Sequence, residues 1–128
     1  MSPFQSDTTP LHIAVTIDVT DLEAQAMFWS ELLGVEVNGI MEPFAFIEPA
    51  PGRKIDLWLQ RVPEEKAGKN RVHLDFAVPD LAATERRVVE LGGSLGDRHE
   101  WGKYRWRICR DPEGNEFDIM QADPFPIE

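Results

Sequence analysis

Ile13, Val15, Ile17 and Val19 alternate with Ala14, Thr16 and Asp18, and a two-residue period of this kind predicts a strand with one buried face. Thr20 or Asp21 then caps a helix in which Leu22, Ala26, Trp29 and Leu33 recur at helical spacing until Gly34 stops it. Beyond it the chain predicts a short strand at 35–37, a turn at Asn38-Gly39, a strand at 44–48, a turn over Pro49-Ala50-Pro51-Gly52, and a fourth strand from Ile55 to Arg61. Residues 63–70, PEEKAGKN, are polar and contain glycine, and read as a linker. After it Val72, Leu74, Phe76 and Val78 form one strand face and His73, Asp75 and Ala77 the other. Asp80-Leu81 opens a second helix that Gly92-Gly93 ends. Strands at 94–97, 104–110 and 116–121 follow, with a turn at 111–115 and an irregular tail at 122–128.

The chain contains one unit written twice. Asp21-Leu22 returns as Asp80-Leu81 after 59 positions, and Val19/Val78, Ala24/Ala83, Glu31/Glu90, Leu32/Leu91 and Gly34/Gly93 match at the same offset. A repeat decides architecture ahead of any single motif. The expectation is an α+β domain over 1–128, built from two strand-helix-strand-strand-strand modules at 11–62 and 71–121. Each helix would cover the apolar face of its sheet, so the residues between the apolar ones face away: Thr16, Asp18, Asp56, Trp58, Gln60, His73, Asp75, Glu116 and Asp118. A solvated sheet face explains their polarity. Trp58 among them argues for a partly enclosed surface, because an indole body prefers to leave water.

Composition narrows the function. At 128 residues the chain can bury a core of its own. Its 23 acidic and 13 basic residues give a net charge of −10, which argues against nucleic acid and anionic membrane surfaces as partners. No apolar run approaches the roughly 18 residues of a membrane span, and the first dozen residues lack the basic start and apolar stretch of a secretory signal. A cytoplasmic location is the expectation. The single cysteine, Cys109, rules out an internal disulfide and a cysteine-based zinc cluster, and reads as a small strand residue.

The segments VTIDVTDLEAQAMFWSELLGVEV at 15–37, RVHLDFAVPDLAATERRVVELGG at 71–93 and DPEGNEFDIM at 111–120 together resemble the vicinal oxygen chelate superfamily. This is the glyoxalase, bleomycin-resistance and extradiol-dioxygenase group, and the chain looks most like its small glyoxalase-like proteins. The resemblance implies that the two βαβββ modules pair their sheets into a curved mixed sheet around a cavity, the glyoxalase/bleomycin resistance fold. It also implies a divalent metal, where one is bound, held by residues of the first and last strands of the modules. Those positions are Ala14, His73, Asp56 and Asp118 here, and the alanine carries no donor atom. One imidazole and two carboxylates suit Fe²⁺, Mn²⁺, Ni²⁺ or Zn²⁺ with coordination positions left for substrate.

His73 reads either as a histidine bonded to Asp75 or as a metal ligand and proton-transfer group, with Asp75 as a carboxylate base beside it. Asp118 stands mid-strand, where aspartate is disfavoured, and so points to a site. Trp101, Tyr104 and Trp106 follow a loop-like stretch at 96–100 and, with Trp58, Gln60 and Thr16, are the expected substrate pocket. Arg105 and Arg107 alternate with Tyr104 and Trp106, so the inward face of that strand is either aromatic or cationic. Two functions are expected. One is a metal-assisted lyase, isomerase or dioxygenase acting on a small oxygenated molecule; the other is a protein that sequesters an antibiotic or toxin without metal. The resemblance implies a homodimer in either case, and an open curved sheet leaves edges that need cover.

Overall fold

In the computed structural model the described residues are 8, 13–48 and 55–121. The expected turn at 49–52 and the tail at 122–128 lie outside them. Among the described residues the order is β1 (Ile13–Val19), α1 (Leu22–Leu33), β2 (Val37–Met41), β3 (Phe44–Ile47), β4 (Ile55–Arg61), β5 (Leu74–Val78), α2 (Leu81–Glu90), β6 (Ser94–Trp101), β7 (Tyr104–Arg110) and β8 (Glu116–Gln121). Two four-stranded sheets result, ordered β1-β4-β3-β2 and β5-β8-β7-β6. In each, the first and last strands of the module run parallel and the remaining pairs are antiparallel. The repeat in the sequence is thus a repeat in topology, and the chain has the α+β fold it predicts.

Both helices begin where the Asp-Leu pairs place them. The carboxylates of Asp21 and Asp80 accept from the backbone N–H of Ala24 and Ala83, at 3.1 and 2.9 Å, satisfying donors that the first turn leaves open. Gly34 closes α1 in the left-handed conformation, with φ of 68°. Gly93 is required for a different reason. A side chain there would put its Cβ 2.6 Å from the Arg110 carbonyl oxygen and 2.8 Å from a Val88 methyl, so only glycine lets α2 close onto β7.

The core joins the modules. Phe28 and Trp29 of α1 reach the second sheet, where Trp29 packs edge-on against Phe117 at 4.8 Å and lies 6.0 Å from Phe76. Such pairs add about 0.5–1.5 kcal/mol each beyond the burial of their area. In return, the Glu113 carboxylate accepts from the backbone N–H of Thr20 and Asp21, at 2.7 and 2.8 Å. The 111–115 turn of the second module therefore seats the helix of the first. Cys109 is fully buried on β7; burial pushes its thiol up to about 12, and it stays a protonated core residue at neutral pH.

Two boundaries differ from expectation. Asn38-Gly39 is a register irregularity within β2 and not a turn; the chain reverses at Glu42-Pro43, where proline offers the ladder no N–H. The stretch 96–100 is strand, since β6 continues to Trp101. Glu100 pairs with Arg105 across the hairpin, and an edge strand with polar side chains on both faces gives no apolar alternation to read.

Candidate functional site

Strand alternation aims Asp118 at the cleft. Phe117 and Ile119 on either side of it are 1% exposed against the core, so Asp118 must point to the opposite face. Its register partner on β5 is Asp75, and His73 lies two residues before Asp75, just outside the strand. The imidazole Nε2 of His73 sits 3.3 Å from an Asp118 oxygen and 3.6 Å from an Asp75 oxygen. Each of the three offers a ligand atom within 4.8 Å of the others. His73 and Asp75 are half exposed, whereas Asp118 is buried.

That burial controls the chemistry of Asp118. Loss of hydration, then the hydrogen bond shared with Asp75, pushes its carboxyl up to about 6, against the pull of the His73 imidazole. The neighbouring Glu116 is held low instead, because Lys69 donates to it at 2.7 Å and Arg110 at 3.1 Å. Glu116 is neutralised by two cations; the ion-pair partner of Asp75 and Asp118 among the described residues is the His73 imidazole, and His99 adds a second imidazole near Asp118.

The three residues open onto a cleft of about 540 Å³ on the face of the second sheet away from α2. Its far wall settles the alternation left open on β7. Tyr104, Trp106 and Ile108 line the cleft, whereas Arg107 turns to the opposite face and donates to Glu85 at 2.9 Å and to the Gly96 carbonyl at 2.7 Å. The wall is therefore aromatic. Trp101 tilts against Tyr104 at 6.0 Å, and His99 stacks on Trp106 at 5.6 Å with 21° between the planes. His99 was not among the expected site residues. Its signal in the sequence is the alternation of His99 and Trp101 opposite Tyr104 and Trp106, which the loop-like composition of 96–100 obscures.

The first sheet holds the other expected residues. Ala14 is beside Asp56 in register, Thr16 beside Trp58 and Asp18 beside Gln60. Thr16 and Asp18 line a cavity of about 380 Å³ between the modules, which meets the first cleft at His73 and Glu116. Trp58 and Gln60 line neither cavity; Trp58 packs edge-on against Phe46 at 5.6 Å. Asp56 is not one of the three grouped residues. At the 59-residue offset between modules, Thr16 corresponds to Asp75, so its neighbour Trp58 takes the row that Asp118 takes in the second sheet.

A family model, the glyoxalase-like domain, matches residues 14–120. The chain belongs to this family. Its glyoxalase-like fold, within the vicinal oxygen chelate superfamily, is shared by solved structures of low sequence identity. One is a glyoxalase/bleomycin resistance protein/dioxygenase family enzyme from Burkholderia phytofirmans PsJN, at 18% identity and a TM-score of 0.73 over 84% of this chain and 95% of that one. A second is a glyoxalase/bleomycin resistance protein from Albidiferax ferrireducens T118, at 20% identity and 0.67 over 88% and 98%. A third is a lactoylglutathione lyase from Agrobacterium tumefaciens, at 17% identity and 0.68 over 94% and 100%. No curated protein matches the sequence significantly. Among the described residues, no helix of this glyoxalase-like domain is long and apolar enough to cross a membrane.

Proposed function

We propose that this glyoxalase-like domain binds a small oxygenated organic molecule at a divalent cation held by His73, Asp75 and Asp118, and acts on it as a lyase, isomerase or dioxygenase. The observation that carries this reading is the convergence of three donors within 4.8 Å at the floor of an open cleft. The donor set fits a cation: a buried carboxylate and its half-exposed neighbour lack a lysine or arginine among the described residues, and one imidazole with two carboxylates suits Fe²⁺, Mn²⁺, Ni²⁺ or Zn²⁺. Bound there, the ion supplies Lewis acidity to a substrate carbonyl or enediolate oxygen. Asp118 anchors the set from the strand, and His73 is oriented by the carboxylates on either side of it. Asp75, half exposed, is the carboxylate placed to take a substrate proton. The aromatic wall lines the far side of the cleft.

Calorimetric titration of metal-stripped full-length protein with Mn²⁺, Ni²⁺ and Zn²⁺ tests the reading. Wild type is expected to take up one equivalent, and His73→Ala to weaken it by at least about 100-fold, the upper range of what even outer-shell partners contribute. Wild-type protein with no affinity for any of the three ions would overturn it.

A second reading has its own support. Ala14 gives no donor at a position where the superfamily places one, and aromatic side chains line the cleft, which suits metal-free capture of an aromatic compound. Under this reading ligand quenches tryptophan fluorescence equally with and without chelator, and no turnover follows. In either reading we propose that the chain pairs with a second copy of itself. Its first sheet offers the half-buried Phe44, Phe46 and Trp58 on the face that α1 leaves uncovered, and a sedimentation mass of one chain at micromolar concentration removes this arrangement.

A further inference from the structure

The length of the aromatic wall carries information about what lies against it. On β7 the cleft face presents Ile108, Trp106 and Tyr104 in successive rows. Ile108 is the register partner of Asp118, Trp106 of Met120 and His99, and Tyr104 of Trp101. The rows thus lead from the acidic end through a stacked His99–Trp106 pair to a tilted Trp101–Tyr104 pair. From Ile108 to Tyr104 is four residues, roughly 14 Å along an antiparallel strand. One benzenoid ring with its substituents covers only about 7 Å, the advance of two residues. A single-ring molecule anchored at Asp118 would end at Trp106 and leave the last row untouched.

The last row is also the one with the most unsatisfied apolar surface. Trp101 is 71% exposed at the tip of the β6–β7 hairpin, beside the Gly102 turn. An indole left in water at the lip of a cleft is surface that a planar ligand would bury.

We infer that the ligand is a fused-ring aromatic of two or three rings, lying along β7 with its oxygen-bearing end at His73 and Asp118 and its far ring against Trp101 and Tyr104. The anchored end rests on the reading of the acidic group given above; the ring count rests on the wall alone. The lateral stacking surfaces on His99 and Trp106 fix the plane of the ligand, and Met120 forms the floor beneath its middle.

Calorimetric titration with three probes tests the inference: 1,2-dihydroxybenzene, 2,3-dihydroxynaphthalene and 1,2-dihydroxyanthraquinone, against wild type, Trp101→Ala and His73→Ala. Wild type is expected to bind the two-ring probe at least tenfold more tightly than the one-ring probe, and the three-ring probe at least as tightly as the two-ring probe. Trp101→Ala is expected to leave the one-ring probe unchanged and to weaken the three-ring probe tenfold or more, with an unchanged circular dichroism spectrum because the side chain is exposed. Equal affinity for one and three rings, or a loss in Trp101→Ala that is the same for all probes, would overturn the inference. His73→Ala should weaken every probe by one factor. If it weakens none while the dependence on ring number and on Trp101 persists, the anchoring role is overturned and the ring-length inference is supported.

Discussion

Asp111→Ala is expected to lower the free energy of unfolding by about 3–5 kcal/mol, because it strands several buried neutral donors at about 1–3 kcal/mol each. Asp111 is 3% exposed and its two oxygens accept from five donors. Gln25 Nε2 and Trp29 Nε1 of α1 reach one oxygen at 2.6 and 3.2 Å, joined by Asn115 Nδ2 at 2.9 Å. The backbone N–H groups of Glu113 and Asn115 reach the other at 2.9 Å. Truncation strands two buried side-chain donors of the first module and untethers the turn of the second. Gln25 loses the more, since its Oε1 is itself buried without a partner among the described residues. The same turn carries Glu113, which accepts from the N–H groups of Thr20 and Asp21 just before α1, so the loss spreads to the joint between modules. Urea unfolding should show a lower midpoint at unchanged slope; a loss under about 1 kcal/mol would mean that the aromatic contacts of Trp29 and Phe117 hold the modules together unaided.

For the turn at 111–115 the sequence predicts a change of direction and nothing more. Its glycine and proline announce a reversal, and no local pattern says that an aspartate will be buried against a helix 82 residues away in the chain. Strand and helix periodicity report which face of an element is dry, which is why the repeat, both helix starts and the facing of His73, Asp75 and Asp118 were legible. Periodicity does not report which faces meet. Gln25 and Phe28 lie outside the stripe of Leu22, Ala26, Trp29 and Leu33 because α1 packs on two sheets and so buries a wider arc than one sheet requires. Trp58 and Gln60 share the alternation of a cleft residue, yet the cleft is walled by the second sheet. His99 is not legible for a related reason: on an edge strand exposed on both faces, the alternation of polar residues carries no hydrophobic signal.

Asp118→Asn is expected to stabilise the metal-stripped protein at neutral pH while abolishing its affinity for divalent ions. The folded-state carboxyl titrates near 6 against an ordinary value of 3.8. A raised value means that folding takes up a proton in this window, so the group's contribution to stability is full below about pH 3.8 and is lost as pH rises through about 6. The loss above pH 6 is at most about 3 kcal/mol, from a shift of about two units at 1.36 kcal/mol each. An amide has no charge to desolvate and none to set against Asp75, so the variant should recover part of that energy at pH 7 and show a flatter stability profile between pH 4 and 7. It also loses the anionic oxygen that a cation needs, and its metal affinity should fall at least as far as that of His73→Ala. Stability rising as function disappears is what a site held against its own folding energy produces. Urea melts across that pH range, paired with metal titration, distinguish this from a structural aspartate, whose replacement would lower stability and leave any metal affinity in place.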